Sequence, residues 1–506
     1  MDDFDLVVVG GGINGTGLAR DLAGRGWRVL LAERDDLAAH TSSASTKLVH
    51  GGLRYLETYE FSLVAKALQE REVLLRSAPQ LIQPLRFVLP HAPHLRPAWM
   101  IRIGLFLYDH LARRELLPGS QGLRLHGSPY GAPLKPEFTR GFVYSDGWVD
   151  DARLVVLNAL DARARGAEVL TRCAVTEAVR SADGWRVSLQ GGRELRARAL
   201  VNAAGPWAER FLRDHTQGTD RQPLPARGLR LVKGSHIVVS QRFSHDHAYI
   251  FQNPDGRIIF AIPYEGRFTL IGTTDIELPE HENPPSRAAI DAAEIDYLCE
   301  QASRYLAQPV RPADVLWSFA GVRPLLAEGG SASAVTRDYL LEADASGGAP
   351  LLNVWGGKLT TYRKLAEDGA SQIGRLLGDA RRPWTANTRL PGGDLGAHGV
   401  DIDAFAAALQ ARHPGRAAAD VRRLARAYGS HAEALLAAPP GAEVAPGLHE
   451  SELRHLVDNE WARSAEDVLW RRSKLGLHLT TTQQAAVADW LGQAPSRGAS
   501  ACSHHG

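Results

Sequence analysis

The order of apolar and polar positions near the start of the chain predicts a strand, a helix and a second strand. The apolar runs FDLVVV (4–9) and WRVLLAE (27–33) are short and continuous, as buried strands are. The segment between them, from Ile13 to about Arg25, has helical character. A strand, a helix and a strand in this order begin a βαβ unit.

Further helices and strands follow along the chain. Residues 60–78 (EFSLVAKALQEREVLLRSA) are predicted as a helix that Pro79 ends, and residues 152–165 as another. Short strands are predicted at 167–172 and 185–189, and VNAAG (201–205) ends a further strand.

The pattern changes between about residues 228 and 275. The runs GSHIVVS, AYIFQ, RIIFAIPY and FTLIGTT read as successive strands, which predicts an antiparallel sheet inserted into the first domain. LLNVWGGKLTTYRKLAE (351–367) then predicts a strand, a glycine turn and a helix. Beyond TRLPGGD (388–394) the chain is rich in Ala, Arg and Leu and is predicted to be all-helical.

Composition narrows the class of protein. A chain of 506 residues is long enough for two or three domains, and 44% hydrophobic residues indicate a globular protein. A net charge of +1 gives no overall attraction to nucleic acid, so no nucleic-acid partner is expected. Cys173, Cys299 and Cys502 have no metal-ligand spacing, and no metal site is predicted.

The N-terminus and the lack of long apolar runs set the expected location. MDDFDLVVVGGG has no basic region, and its apolar run is too short for a signal peptide. No stretch of 18 apolar residues is present. We therefore expect a cytoplasmic protein, and leave attachment to a membrane surface open.

Gly10, Gly12 and Gly15 form a G-x-G-x-x-G motif between a predicted strand and a predicted helix. This context is typical of a dinucleotide site, in which the glycines allow a tight turn, close approach to a pyrophosphate and close helix–strand packing. Glu33 closes the second strand and can accept hydrogen bonds from the adenosine ribose. Its carboxylate would repel a 2′-phosphate, so FAD or NAD is favoured over NADP.

A long polar loop favours FAD over NAD. After the second strand the chain continues with residues 35–55, which include TSSASTKLVHGG. Hydroxyl groups and glycines there can contact phosphate and ribityl oxygens and a flat ring. With two later segments, VNAAGPWA (201–208) and WGGKLTTYRKLAE (355–367), this loop completes the predicted cofactor site. Its expected residues beyond the motif and Glu33 are Ile13, Asn14, Thr41, Ser42, Ser43, Ser45, Lys47, His50, Gly51, Gly52, Ala204, Gly205, Gly357, Lys358, Leu359 and Thr360.

Several motifs together resemble the bacterial FAD-dependent (aerobic) glycerol-3-phosphate dehydrogenases. The resemblance implies a D-amino-acid-oxidase-like fold with non-covalent FAD, and oxidation of sn-glycerol 3-phosphate to dihydroxyacetone phosphate. It also implies a membrane quinone as electron acceptor and a homodimer attached to the cytoplasmic face of the inner membrane. The motifs are VVGGGINGTGLARDLAGRG, TSSASTKLVHGGLRYLE, RPAWMIRIGLFLYDHL, YSDGWVDDARLV, KGSHIVV, IGTTD, GVRPL, TRDY, GGKLTTYRKLAE and WARSAEDVLWRRSKLGL.

The elements and the resemblance together predict an α/β fold in three parts. These are a Rossmann-like FAD-binding domain of the D-amino-acid-oxidase type, an inserted antiparallel-sheet substrate domain and a C-terminal all-helical domain. The predicted bounds are 1–85, 145–215 and 345–387 for the FAD-binding domain, 86–144 and 216–344 for the substrate or cap domain, 388–495 for the helical domain and 496–506 for a disordered tail.

Oxidation of a secondary alcohol that carries a phosphate needs a cationic clamp and a base. Arg54, Arg323 and Arg337 match the family's pocket, and a planar guanidinium suits phosphate. For each arginine the alternative is a salt bridge to an acid such as Asp338 or Glu328.

Four more residues complete the predicted site. Lys358 is expected to stabilise the negative charge of a reduced flavin, unless it is a solvated surface lysine. Tyr55 is either a substrate contact or a packed aromatic. His236 in KGSHIVV is the candidate base, unless it is a structural strand histidine. His50 is a second candidate base, with cofactor contact as the favoured role.

Residues 95–114 (LRPAWMIRIGLFLYDHLARR) predict a helix at a membrane surface or, alternatively, a buried helix between domains. The apolar set is Trp99, Met100, Ile101, Ile103, Leu105, Phe106, Leu107 and Tyr108, and the arginines are Arg96, Arg102, Arg113 and Arg114. Arg471 and Arg472 are further candidates for contact with lipid headgroups.

Three other functions stay open at this point. One is a glycerol-3-phosphate oxidase that uses oxygen. A second is an amine oxidase of the same superfamily, against which the arginines argue. A third is a non-catalytic flavin-binding or redox-sensing protein, which would lack the clamp or the base.

Overall fold

The computed structural model describes residues 2–92, 95–279, 287–327 and 338–493. Two large sheets and a helical C-terminal domain make up the described chain. The disordered tail predicted over 496–506 lies outside these residues, and so does Arg337.

The first sheet is built around the strand Asp2–Val9. This strand pairs in parallel with Val29–Ala32 on one side and with Glu194–Asn202 on the other. Its residues Leu6, Val7 and Val8 are fully buried, because helices or further chain cover both faces of the sheet. The other strands of this sheet are Glu168–Leu170, Val175–Arg180, Trp185–Leu189, Thr216–Gln217, Leu340–Asp344 and Leu351–Trp355.

The helices Ile13–Gly24, Asp151–Ala164 and Tyr362–Leu376 pack together against the first sheet. Asn158 and Tyr362 join two of them through a buried hydrogen bond of 3.0 Å between the amide nitrogen and the phenol oxygen. The predicted βαβ start is confirmed, with the helix ending at Gly24 rather than at Arg25. Ala208–His215 is a further helix of this part of the chain.

The second sheet is antiparallel except where Ala248–Gln252 pairs in parallel with Ile82–Pro90. Its longest pairing joins Leu229–Ser240 to Val315–Leu326. The remaining strands are Leu48–Val49, Gln121–Arg124, Arg140–Val149, Ile258–Tyr264, Phe268–Gly272 and Ile276–Glu277. Three helices pack against this sheet, namely Phe61–Ser77, Ala98–His110 and Ala292–Tyr305.

The predicted domain division cuts through two strands of this second sheet. The boundary between residues 85 and 86 falls within Ile82–Pro90, and the boundary between 144 and 145 falls within Arg140–Val149. These strands pair with each other over their whole length. Two prolines in the first strand hid its pattern, so the segment was not recognised as a strand from the sequence.

The C-terminal domain consists mainly of helices around its own apolar core. It also contains a two-stranded hairpin, Glu443–Ala445 with Leu448–His449, which the all-helical prediction missed. A hairpin of this length has too few residues to show an alternating pattern. The helices are Ile402–Arg412, Ala418–Tyr428, Ala432–Ala437, Glu450–Asn459 and Thr481–Gln493, with a π-helical turn at Asp467–Arg472.

Buried ion pairs attach the C-terminal domain to the first sheet. Arg153 pairs with Glu460, and both side chains are almost completely buried. Burial alone would raise the pKa of Glu460, but Arg153 and the other cations around it hold that pKa at about 2. Arg471 and Arg472 are buried as well, and both donate to Asp36. The prediction that these two arginines contact lipid headgroups is therefore wrong.

The helix Ala98–His110 presents an apolar surface to solvent. Trp99, Ile103 and Phe106 are 63%, 51% and 53% exposed, whereas Leu105 and Tyr108 are buried against the second sheet. Within the described residues, no helix is long and apolar enough to span a bilayer.

Arg363 supports a first prediction, about stability. It is 4% exposed and donates to both carboxylate oxygens of Glu70, at 2.6 and 2.7 Å, and to Glu367. We expect Arg363→Met to lower the free energy of unfolding by about 3–5 kcal/mol, because Glu70 is left as an uncompensated buried charge.

Urea unfolding measures this change. Arg304→Met is the control, since Arg304 pairs with Glu300 at the surface and its loss should cost under about 1 kcal/mol. Equal losses in the two variants would contradict the buried-charge account.

Candidate active site

A cavity of about 620 Å³ lies between the two sheets. Its walls come from the end of the first strand, the loop after Val29–Ala32, the segments at 203–207 and 356–360, and the strands that contain His236 and Arg323. Most of the predicted site residues therefore reach one cavity, although they are far apart in the sequence.

The glycine motif forms one end of this cavity. Gly10 has a φ of +109°, and a Cβ there would lie 2.5 Å from the carbonyl oxygen of Ala203. A Cβ on Gly15 would lie 1.9 Å from the oxygen of Gly10, so Gly15 serves helix–strand packing and does not line the cavity. Gly12 is the N-cap of the helix that starts at Ile13, and it has no side chain of its own to cover the helix end. These features leave room for a pyrophosphate at a helix N-terminus.

Glu33 lies directly beneath the glycine turn. Its carboxylate accepts hydrogen bonds from the backbone N–H groups of Gly11, at 2.5 Å, and Asp35, at 2.8 Å. Burial raises the pKa of Glu33, although these two donors oppose the shift. Glu33 lines the cavity, in the position that a ribose-binding carboxylate requires.

The loop at residues 33–47, here called the flavin loop, has an inner and an outer side. Thr41, Ser42 and Ser45 line the cavity, and Ser42 Oγ accepts the N–H of Ile13 at 3.0 Å. Ser43 and Lys47 do not line it. Ser43 donates to the His40 carbonyl, and the Lys47 ammonium lies 2.7 Å from the buried carboxylate of Asp151.

The second part of the predicted loop is also divided. Gly51 is held away from the cavity, because its N–H donates to the Tyr108 hydroxyl at 2.8 Å. Gly52 has a φ of +79° and packs under the Tyr55 ring. Tyr55 itself lines the cavity, whereas Arg54 lies half-buried outside it in the turn Leu53–Leu56.

The opposite wall comes from the glycine turn before the helix Tyr362–Leu376. His50 donates its backbone N–H to Thr360 Oγ1 at 3.1 Å, which joins this wall to the segment that follows the flavin loop. Asn14 donates to the carbonyl of Gly356 at 3.1 Å. The ammonium of Lys358 lies 3.9 Å from the centre of the Tyr55 ring. Ala204, Gly205, Gly357, Lys358, Leu359 and Thr360 all line the cavity, as do Ile13, Asn14 and His50.

His236 lies at the cavity wall on the second sheet and is 1% exposed. Its ring stacks on Phe319 with 4.7 Å between centroids, and its Nε2 lies 2.9 Å from Thr46 Oγ1. Its Nδ1 has no hydrogen-bond partner among the described residues. Burial lowers the pKa of His236 well below its usual value, and the charges of Arg323 and Lys47 lower it further, so the ring is neutral at neutral pH.

Arg323 reaches the same cavity with part of its charge already compensated. It pairs with Asp275 and donates to Thr273 Oγ1 at 3.0 Å. Asp338, one of the acids that the sequence suggested as salt-bridge partners, lines the same cavity and lies 3.2 Å from the Lys66 ammonium. The other suggested acid, Glu328, is outside the described residues.

Two residues of the site escaped the sequence reasoning. Thr46 is adjacent to residues that were selected, but its contact with His236 joins positions 190 residues apart and leaves no local signal. Asp275 ends the motif IGTTD but was not selected as a site residue, and only the pairing of distant strands brings it to Arg323.

Two family models cover almost all of the described chain. The model "FAD dependent oxidoreductase" matches residues 5–363, and the model "C-terminal domain of alpha-glycerophosphate oxidase" matches residues 383–493. The fold and the cavity define a flavin-dependent oxidoreductase of the D-amino-acid-oxidase type. The chain belongs to the FAD-dependent oxidoreductase family, and FAD is its cofactor.

Curated relatives match along nearly the whole chain. A glycerol-3-phosphate dehydrogenase of Pseudomonas aeruginosa is 51% identical, over 96% of this chain and 95% of its own length. A D-erythritol 1-phosphate dehydrogenase of Brucella abortus is 49% identical, over 97% of this chain and 98% of its own length.

Solved structures match the fold to different extents. The glycerol-3-phosphate dehydrogenase of Bacillus halodurans complexed with FAD has a TM-score of 0.75 and 30% identity, over 97% of this chain and 90% of that one. A glycine oxidase of Geobacillus kaustophilus shares only the fold, with a TM-score of 0.56 and 20% identity. It matches 77% of this chain over 99% of its own length, which leaves a part about as large as the C-terminal domain without a counterpart.

Gly10 gives a second prediction, about cofactor binding. We expect Gly10→Ala to abolish FAD retention, because both its φ and the carbonyl of Ala203 exclude a Cβ. The ratio of flavin to protein absorbance after gel filtration measures this. Gly492→Ala is the control, since no atom lies within 4 Å of the added carbon. A Gly10→Ala protein that keeps its full flavin content would contradict the proposed pyrophosphate position.

Proposed function

We propose that this protein oxidises sn-glycerol 3-phosphate to dihydroxyacetone phosphate, with FAD as the immediate electron acceptor and a membrane quinone as the final one. One observation carries the proposal. A buried, neutral histidine and the cations Arg323 and Lys358 line the same cavity as the dinucleotide motif. The names of relatives that match the whole chain support the same substrate.

Cationic residues suit a phosphate dianion. Arg323 and Lys358 line the cavity, and a guanidinium binds phosphate oxygens in a planar fork. We assign the phosphate contact to these two residues. Tyr55, whose ring lies beside the Lys358 ammonium, is a further donor through its hydroxyl. Arg54, which does not line the cavity in this structure, and Arg337, which lies outside the described residues, belong to the clamp in this proposal only on their match to the family motifs HGGLRYLE and TRDY.

His236 is the proposed base. Bound FAD supplies the hydride acceptor, so the alcohol carbon loses a hydride and the hydroxyl loses a proton as the carbonyl forms. Nδ1 of His236 has no other partner among the described residues and can take that proton. Thr46, bonded to Nε2, fixes the ring in place.

A longer polyol phosphate is a second candidate substrate. The D-erythritol 1-phosphate dehydrogenase is about as similar to this chain as the glycerol-3-phosphate dehydrogenases are. Both substrates are polyol phosphates and need the same clamp and base, so the chemistry proposed for His236 and Arg323 holds for either.

The role of His236 yields a third prediction. We expect His236→Asn to slow anaerobic flavin reduction by sn-glycerol 3-phosphate about 10²- to 10⁴-fold while FAD stays bound. Because the pKa of His236 in the ligand-free protein is well below its usual value, we also expect the wild-type rate at limiting substrate, which reports the free enzyme, to show no histidine titration near neutral pH.

Stopped-flow absorbance at the flavin band gives both results. His413→Asn is the control, since His413 pairs with Glu433 in the C-terminal domain. Flavin reduction by His236→Asn at the wild-type rate would remove His236 as the base.

The exposed face of Ala98–His110 supports attachment to the inner membrane, where a quinone can be reached. Its exposed apolar residues are Trp99, Met100, Ile103, Phe106 and Leu107. The flanking Arg96 and Arg113 are exposed and can meet anionic headgroups. We place the protein at the cytoplasmic face of that membrane as a homodimer, on the resemblance to the family.

The same face gives a fourth prediction. We expect the double substitution Ile103→Glu and Phe106→Glu to reduce co-sedimentation with anionic vesicles at least tenfold. The substitution removes apolar area that the bilayer would bury, and the new carboxylates repel the anionic lipids. Leu316→Glu is the matched control, since Leu316 is 58% exposed on a strand edge elsewhere. Equal losses from both proteins, or none from either, would contradict the assignment.

A further inference from the structure

The outer side of the flavin loop bears a buried charge that accepts hydrogen bonds from the C-terminal domain, while Arg172, which follows the strand Glu168–Leu170, lies farther away at 3.9 Å. Asp36 is 3% exposed. Its carboxylate accepts three hydrogen bonds of 2.7 to 2.9 Å from Arg471 and Arg472. Arg472 also donates to the carbonyl of Glu460 at 2.6 Å, which fixes the guanidinium from the other side.

The other end of the loop contacts the C-terminal domain indirectly, through the start of the helix Asp151–Ala164. Lys474 of the C-terminal domain lies 3.0 Å from Asp150, at the start of the helix Asp151–Ala164. The next residue, Asp151, accepts from Ser45 Oγ at 2.7 Å and pairs with Lys47.

These two attachments flank the part of the loop that contacts the cofactor cavity. The residues between them that line the cavity run from Ala38 to Thr46. The loop has little regular structure of its own, a single turn at Thr41–Ser43. Ala38 and Lys47 hold positive φ angles of 59° and 62°, a conformation that persists only when surrounding contacts fix it.

The arginines are held in turn by a buried acid. Asp467, in the same π-helical turn, pairs with Arg471 and Arg172. Burial alone would raise the pKa of Asp467, but these cations and the backbone N–H of Arg463 hold it at about 2. Ion pairs with Asp467 therefore hold the segment Asp467–Lys474 where it meets the loop.

We propose that the C-terminal domain is a clamp that retains FAD: Arg471 and Arg472 hold Asp36, and Lys474 supports Asp150, so that the flavin loop stays closed on the cofactor. The FAD-dependent oxidoreductase model ends at residue 363 and a separate model matches residues 383–493, so the domain is an addition to the oxidoreductase fold. Arg471, Arg472 and Lys474 are positioning residues, since none of them needs to touch FAD.

The test is the rate of FAD release from full-length holoenzyme, followed by the rise of free-flavin fluorescence after dilution. Arg472→Met and Asp36→Asn each remove the ion pair between the C-terminal domain and the flavin loop. Arg423→Met is the matched control, because it breaks a buried pair with Glu452 inside the same domain and away from the loop. Thermal unfolding of each variant is measured beside the release rate.

We expect Arg472→Met and Asp36→Asn to release FAD at least tenfold faster than wild type, and Arg423→Met to stay within twofold despite a similar loss of thermal stability. Release rates that follow thermal stability alone across the three variants, or that do not change, would overturn the proposal.

A measurement on the wild type covers the case in which a variant fails to fold. Coupling between two sites is reciprocal, so FAD must slow hydrogen exchange at residues 467–474 if those residues help to retain it. Slower exchange in holoenzyme than in apoprotein supports the clamp, and equal exchange in the two forms would overturn it.

Discussion

The structure depends on the burial of charge in and around the flavin loop. The loop is polar, yet it lies between two sheets, where each charged group needs a partner. Asp36, Lys47 and Glu33 meet this need in three different ways: through arginines of the C-terminal domain, through a carboxylate at a helix start, and through backbone N–H groups. These partnerships tie the loop to three parts of the chain and so fix the shape of the cofactor cavity.

The same positive charge has two consequences in the cavity. Arg323 and Lys358 suit a substrate dianion, and the fields of Arg323 and Lys47 help burial to keep His236 neutral. A neutral imidazole is the form that can accept a proton. In the proposed mechanism, Arg323 therefore acts both as a phosphate contact and as one of the charges that keep the proposed base neutral.

Local signals in the sequence were enough to predict that Gly10 and Glu33 lie together at one end of a cavity. Gly10 and Glu33 are close in sequence and belong to one βαβ unit, so their spacing alone predicts their meeting. The strands Ile82–Pro90 and Arg140–Val149 were divided between domains, because two prolines obscured the first strand and its pairing with the second leaves no local signal. Thr46, Asp275 and the destination of Arg471 and Arg472 could not be predicted, since each depends on contacts between distant strands or between domains. An exposed role for the two arginines was the natural expectation for charged residues, and their buried partners Asp36 and Asp467 reverse it.

The central claim is that the cavity oxidises a polyol phosphate on FAD, and a substrate panel tests it most directly. Purified holoenzyme is titrated anaerobically with sn-glycerol 3-phosphate, D-erythritol 1-phosphate, glycerol and glycine, with absorbance followed at the flavin band. The account predicts bleaching by a phosphorylated polyol, with sn-glycerol 3-phosphate the more effective, and no bleaching by glycerol or glycine at the same concentration. Bleaching by glycine, or by glycerol as readily as by its phosphate, would contradict it.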